Sequence, residues 1–380
     1  MAASGTAPIQ VTLEPAANSG AASTHVLLAA MLRANNKVSD LIFSPGRPPQ
    51  VEVYGQLIPV QGPGLHLLTA DDTRRIASDL IGGNKQAITT LREQGACDIS
   101  FGLPGLARFR VNVFIQRGSC AVVMRVIPTT IPEFRTLGLP PQLEEVATLR
   151  DGIVLVTGAR GAGKSSTLAA LLDRINEKQT CHIITVEDPI EFLHNHKQAT
   201  IHQRELHSDT PNFSLALRAA LRQAPKVILV GELRDRETME MVLEAAETGH
   251  LVLSSLNAPN AVKTLERIAG AFPATEQASI RARLAKTLRY VISQRLIPRR
   301  DGGRVAILEI FRNTPRTVHY LECEDPSGHT LLEALKNGAS DGMQHFDSEL
   351  EKLVRGEIID LESALNYASD PQQLQTTLAQ

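Results

Sequence analysis

Tryptophan is absent from this 380-residue chain, and aromatic residues make up only 4% of it. So few flat side chains leave little material for platforms that stack nucleic-acid bases. The formal net charge is −2, so no global basic field draws the chain to nucleic acid or to an anionic membrane. Only four cysteines occur, Cys97, Cys120, Cys181 and Cys323, far apart and without a C-x-x-C pair. That spacing indicates neither a zinc site nor a disulfide framework, and a reducing, cytoplasmic home is the simplest expectation. No apolar run approaches the roughly 18 residues of a membrane span. The start of the chain lacks the basic and apolar segments of a signal peptide. The length suggests two or three domains.

What the chain does have is one strong motif, Gly158-Ala159-Arg160-Gly161-Ala162-Gly163-Lys164-Ser165 followed by Ser166. It fits G-x-x-x-x-G-K-S, the phosphate-binding loop. Ile153–Val156 before it is short, apolar and β-branched, as a buried strand would be. Leu168, Leu171, Leu172 and Ile175 after it repeat at helical spacing. In this setting backbone N–H groups cradle phosphate oxygens, and the helix N-terminus favours anions. Lys164 is placed to reach the β/γ-phosphates and the Ser165 hydroxyl to ligand Mg²⁺. The expected ligands are therefore a nucleoside triphosphate and Mg²⁺.

Along the rest of the chain, residues 1–22 are rich in Ala, Ser, Gly and Pro and read as a flexible tail. Residues 23–127 read as a small α+β domain. It holds a helix signal at Val26–Leu32, a hairpin over Gln50–Val60 turning at Gly55, and a capped helix opened by Thr69-x-x-Asp72. Two strands follow, over 107–116 and 120–127. In the first, Phe109, Val111, Val113 and Ile115 share one face. Four prolines mark 128–150 as a linker about which the domains are expected to move. Strands at Ile153–Thr157, Cys181–Glu187, Lys226–Gly231 and His250–Leu256 alternate with helical stretches over 151–274. That alternation predicts a mostly parallel sheet covered on both faces, with nucleotide at the carboxyl ends of its strands. Residues 275–380 read as mostly helical, with one strand at Arg304–Ile310.

Three strand tips carry candidate chemistry. Glu187, with Asp188 and Glu191 behind it, ends the second strand, where a carboxylate can orient or deprotonate a water; acidic turns also cap helices. Glu232 ends the third strand, at the Mg²⁺ side of nucleotide motors, and would hold the ion through water. Asn257 ends the fourth, as a candidate phosphate sensor, and His250 opens it; a lone His also serves as a cap or core residue.

The four boxes GARGAGKS, ITVEDPIEF, ILVGELRDRET and ETGHLVLSSLNAPNAVKT together resemble the secretion ATPases of type IV pilus and type II secretion systems. The stretches SDLIFSPGRPPQVEVYGQL, RFRVNVFIQRG and HFDSELEKLVRGEIIDLESALNYA, with no tetracysteine motif, point within them to the PilT/PilU retraction branch. The match runs from about residue 24 onward. LRQAPKVILVGE, Glu237-Thr-Met and the chain length lean towards the PilU-like accessory paralogue.

The resemblance implies a homo-hexamer whose subunits carry a PAS-like first domain and a RecA-like P-loop second domain. It implies ATP hydrolysis coupled to pilus depolymerisation at the cytoplasmic face of the inner membrane, with a platform protein there and a paralogous retraction ATPase as partners. It assigns water activation to Glu187, Mg²⁺ to Glu232, and nucleotide contacts across domains to Arg110, Arg117 and Arg125. Neither nucleic acid nor membrane insertion is implied. Three departures stand out. Asn257 replaces the second box histidine, Lys226 replaces an acid, and Arg316–Leu321 lacks the AIRNLI motif associated with retraction. Asn donates a hydrogen bond but carries no proton charge. Three functions follow as expectations: an ATP-driven motor of pilus retraction, a nucleotide-gated subunit that assists an active paralogue, and a RecA-like nucleic-acid motor, which charge and aromatic content disfavour.

Overall fold

Strand pairing sorts the chain into two seven-stranded sheets. The computed structural model describes residues 8–12, 23–63, 65–128, 130–322 and 329–379. They fall into two units, Met1–Thr129 and Thr130–Gln380.

The first unit runs β1 (Ile9–Gln10), α1 (Thr24–Ala34), β2 (Val38–Phe43), β3 (Gln50–Val53), β4 (Gln56–Gln61), α2 (Ala70–Ile81), α3 (Lys85–Gln94), β5 (Ala96–Leu103), β6 (Ala107–Gln116) and β7 (Ser119–Ile127). Its strand order is β1-β4-β3-β2-β7-β6-β5. The hairpin turns on Tyr54 and Gly55, both at positive φ, as a tight two-residue turn requires. Helix α2 opens with the expected capping box: the Asp72 amide donates to Thr69 Oγ1 at 3.1 Å and the Thr69 amide to Asp72 Oδ2 at 2.9 Å. The Thr69 amide, and the Thr69 hydroxyl that donates to the same oxygen at 2.7 Å, hold the Asp72 carboxyl down at about 2. Leu28 and Met31 of α1 and Ile76 and Leu80 of α2 pack on Phe109, Val111 and Val113 of β6.

Two expectations need correction here. Ile115 shares that face by parity but is 45% exposed, because it lies at the end of β6, beyond the core cluster. The tail expected over 1–22 includes β1, which pairs in parallel with β4 and places Val11 in the core; the remainder, 1–7 and 13–22, lies outside the described residues.

The second unit starts with a 3₁₀ segment, Pro141–Thr148. Then come β8 (Gly152–Thr157), α4 (Lys164–Lys178), β9 (His182–Glu187), β10 (Thr200–Glu205), α5 (Phe213–Ala220), β11 (Val227–Val230), α6 (Arg236–Glu247), β12 (Leu251–Leu256), α7 (Ala261–Gly270), α8 (Ala274–Thr287), β13 (Leu288–Pro298) and β14 (Arg304–Arg312). Short helices α9 (Val318–Glu322), α10 (His329–Asn337), α11 (Phe346–Arg355), α12 (Leu361–Tyr367) and α13 (Pro371–Leu378) end it. The order is β10-β9-β11-β12-β8-β13-β14, parallel except for β14. β8 is buried on both faces. Ile153 and Leu155 join one core cluster, Val154 and Val156 the other.

This unit departs from the sequence expectations in two ways. The segment read as a linker over 128–150 is folded from Phe134 onward, since Phe134, Leu139, Leu143 and Val146 pack in the core with Leu171 and Ile175 of α4. The boundary at 274/275 cuts through the sheet, because β13 pairs with β8 and β14 with β13. β13 escaped the periodicity reading because its polar residues Ser293 and Gln294 are buried rather than solvent-facing. Beyond the sheet, Phe346, Leu350, Ile359 and Leu374 close a separate small core on Ile297 and Ile307.

Candidate nucleotide site

Parallel pairing brings the carboxyl ends of β8, β9, β11 and β12 to one edge. Thr157 pairs with Leu256, and Val186 with Val230. Glu187 is the last residue of β9, and Gly158, Glu232 and Asn257 follow the ends of the other three, so residues about a hundred positions apart in the chain meet there.

The loop from Gly158 to Gly163 needs its terminal glycines. Gly158 has φ +148° and Gly163 φ +89°. A Cβ on Gly158 would stand 2.5 Å from the Gln294 carbonyl oxygen, and one on Gly163 2.7 Å from Gln294 Nε2. Ala159, Arg160 and Gly161 are exposed at the top of the loop, while Ala162 is buried beneath it. α4 starts at Lys164 with Gly163 as its N-cap and no side chain capping it. Its first-turn N–H groups, around Ser165 and Ser166, therefore await an anion.

Lys164 Nζ donates to Gly158 O at 3.0 Å, Ala159 O at 2.9 Å and Asn257 Oδ1 at 2.8 Å. The Asn257 amide then donates through Nδ2 to Glu232 Oε1. Asn257 thus joins the lysine of the loop to the acid of the third strand. Its own carbonyl accepts from Arg267 Nη1 at 2.8 Å. Burial draws the Lys164 ammonium below the usual lysine range, against the opposing pull of Glu232 and Glu191. The other oxygen of Glu232 accepts from Arg234 Nε at 2.8 Å, and Arg234 Nη1 reaches Asp188 at 2.9 Å. One arginine so ties the acidic box to the third strand.

Glu187 closes β9. Its Oε1 accepts from Thr185 Oγ1 at 2.6 Å and Gln203 Nε2 at 3.0 Å. Burial pushes its carboxyl up to about 7, with these two bonds acting against the shift. A group poised near neutrality suits proton transfer. Gln203 also donates to Phe192 O at 2.9 Å and so pins the acidic loop.

His250 is not part of this constellation. It precedes β12, and its carbonyl accepts from the Gly152 amide at the opposite, amino edge of the sheet. A six-residue strand separates it from the loop, ~20 Å at 3.3 Å per residue. Its Nδ1 donates to Ala245 O at 2.9 Å, closing the end of α6. A residue that starts a parallel strand lies far from one that ends it, so within this chain the structure does not bring His250 to the phosphate loop.

The three candidate arginines belong to the first unit. Arg110 and Arg125 are direct cross-strand partners on β6 and β7. Arg125 Nε contacts the buried Asp40 carboxylate at 2.9 Å, and Arg110 lies 3.9 Å from Asp98. Arg117 sits in the turn between these strands at φ +48°.

Sequence reasoning assigned no role to Gln203, Arg234 or Arg267. The two-residue spacing from Glu232 could have flagged Arg234. Gln203 carries no local signal, because its contact depends on β10 lying beside β9 with Gln203 opposite Thr185.

Comparison with known proteins places the chain in a family. Residues 94–335 match the family model for type II/IV secretion system proteins. The chain is 42% identical to the type IV pilus retraction ATPase PilT of Pseudomonas aeruginosa over 344 residues, 89% of this chain and 96% of the relative. It is 38% identical to the type IV pilus ATPase PilU of the same organism over 337 residues, 88% of this chain and 86% of the relative. These shares give the lean towards PilU no support. The crystal structure of the pilus retraction motor PilT with bound ADP superposes with a TM-score of 0.80 at 38% identity, covering 93% of this chain and 98% of that one. No helix among the described residues is long and apolar enough to cross a membrane. A phosphate loop joined through Asn257 to a strand-end acid, in a fold and sequence shared across nearly the whole length of these relatives, makes the chain a member of the type II/IV secretion system protein family, an ATP hydrolase of its PilT/PilU branch.

Proposed function

We propose that the chain is a Mg-ATP-dependent motor of a type IV pilus system, working as a homo-hexamer that powers or assists pilus retraction. The observation that carries the reading is the Lys164–Asn257–Glu232 junction at the strand ends, with Glu187 on the neighbouring strand. Backbone N–H groups from Gly158 to Ser166 hold the phosphates. Lys164 exchanges its three oxygen acceptors for phosphate oxygens when nucleotide arrives. Ser165 and Glu232 form a hard-oxygen donor set that suits Mg²⁺, with waters completing the shell. The ion would neutralise phosphate charge. Glu187, poised near pH 7, orients and deprotonates the attacking water. Asn257 senses the γ-phosphate because its amide already spans the lysine and the acid.

Arg110, Arg117 and Arg125 are further candidate contacts to nucleotide, Arg110 and Arg125 as cross-strand partners on β6 and β7. The cytoplasmic face of the inner membrane, a platform protein there and a paralogous ATPase complete the working setting.

The test is steady-state ATPase of the purified chain, with its mass measured with and without Mg-ATP. A ring whose turnover collapses in Glu232→Ala supports the motor; equal turnover in that variant sinks it. A second reading, a nucleotide-gated subunit that assists an active paralogue, is favoured by Asn257 in place of the box histidine. Rescue of motility by Glu232→Ala in cells that hold an active paralogue would support it.

A further inference from the structure

Both glycine ends of the phosphate loop close on the same residue, Gln294 of β13. Ser293 pairs with Thr157, so Gln294 falls beside Gly158 just where β8 gives way to the loop. Its side chain is 3% exposed. The amide is engaged at both ends: Oε1 accepts from Thr167 Oγ1 of α4 at 2.7 Å, and Nε2 donates to the Ala162 carbonyl at 2.7 Å.

The second bond has a consequence for phosphate. The Ala162–Gly163 peptide is planar, and in a trans peptide C=O and N–H point in opposite directions. With the Ala162 carbonyl turned onto buried Gln294, the Gly163 N–H faces the other way, into the open side of the loop. We propose that Gln294 is a positioning residue for nucleotide: it orients the Ala162–Gly163 peptide so that the Gly163 N–H is presented to a phosphate oxygen, and its bond to Thr167 fixes the amide against the first turn of α4. This deepens the nucleotide reading given above and rests on it. The motif pattern names only residues inside the loop. Gln294 lies 131 positions beyond Gly163 in the chain and acts from a neighbouring strand.

The test uses the full chain, with ADP and inorganic pyrophosphate as calorimetric ligands and Mg-ATP as substrate. Gln294→Met keeps the volume and removes the donor. Loss of one charge-assisted contact predicts that the Kd values for ADP and pyrophosphate and the KM for ATP rise roughly tenfold, with kcat changed far less. Thr167→Val removes the other bond on the same amide while leaving the Ala162 contact. It is expected to lower the Tm and keep the ADP affinity within about twofold. Unchanged ADP affinity in Gln294→Met, or an equal loss in Thr167→Val, overturns the proposal, since either result leaves Gln294 as packing. Should Gln294→Met not fold, Gln294→Glu keeps the Thr167 partner and still lacks the donor; ADP binding as in the parent chain would count against the proposal equally. A parent chain that binds ADP without hydrolysing ATP sinks the motor reading alone, and one that binds no ADP sinks both.

Discussion

The Glu187 carboxyl offers the sharpest quantitative check on the proposed chemistry. Burial raises it to about 7, and the donors Thr185 and Gln203 restrain the rise by favouring the charged form. If Glu187 is the base, only its ionised form is active. Then kcat/KM, which reports the free enzyme, must climb with pH along a limb centred near 7. Gln203→Leu removes the 3.0 Å donor to Oε1. A hydrogen bond to a charged group is worth about 1.5–3 kcal/mol, and one pKa unit is about 1.4 kcal/mol. Removing a donor to the charged form raises the pKa, so the limb should move upward by about one unit or more, to roughly 8 or above. At pH 7 the variant would be at least several-fold slower, and the deficit would shrink steadily as pH rises towards 9.5. The assay is initial-rate ATPase over pH 5.5–9.5 at saturating Mg²⁺, for the parent chain, Gln203→Leu and Glu187→Gln. A limb that stays in place in Gln203→Leu, or one that persists in Glu187→Gln, refutes the assignment of that proton to Glu187.

Other outcomes follow from the same geometry. Asn257→Ala cuts the link between Lys164 and Glu232 and should lower kcat by roughly 10²-fold with little change in ADP affinity, read by steady-state kinetics and calorimetry. Asn257→His places a second titrating group at the junction, so the pH–rate profile should gain a second limb, near the ordinary histidine value of about 6.5, beside that of Glu187. Lys164→Ala should abolish measurable ATP binding while leaving the far-UV circular dichroism of the chain unchanged. Thr69→Ala breaks the capping box and should cost the first unit about 1 kcal/mol, seen in its denaturant midpoint. For Asp72 the folded value, about 2, lies below the ordinary aspartate value of about 3.8. Its contribution is therefore present above about pH 4 and lost as pH falls towards 2, a loss that Thr69→Ala should blunt.

Some of the molecule could be read from the chain alone because its causes are local. The P-loop is announced by glycines at fixed offsets, and the structure finds positive φ at Gly158, Gly161 and Gly163. The capping box at Thr69 and Asp72 involves residues three apart, and the hairpin at Tyr54-Gly55 is a matter of two residues. Alternation on β6 predicts the buried Phe109, Val111 and Val113 because one face of that strand meets helices. It fails at Ile115, where the strand outruns the cover.

Tertiary pairing decided the rest. β13 shows no clean period because two of its polar residues point inward, Ser293 to Thr157 and Gln294 to the loop. A pattern rule that sends polar side chains to water misreads such a strand. His250 and Asn257 stand seven residues apart in one motif, yet a parallel strand carries them to opposite edges of the sheet. Gln203 reaches Glu187 only because β10 chose β9 as its neighbour. By itself, then, the sequence determined that a phosphate loop exists and which acids end which strands, since glycine conformation, strand burial and capping depend on nearby residues. The Asn257 bridge, the amide of Gln203 and the brace from Gln294 were decided by sheet order and register, which arise from pairing between distant segments that no local spacing records.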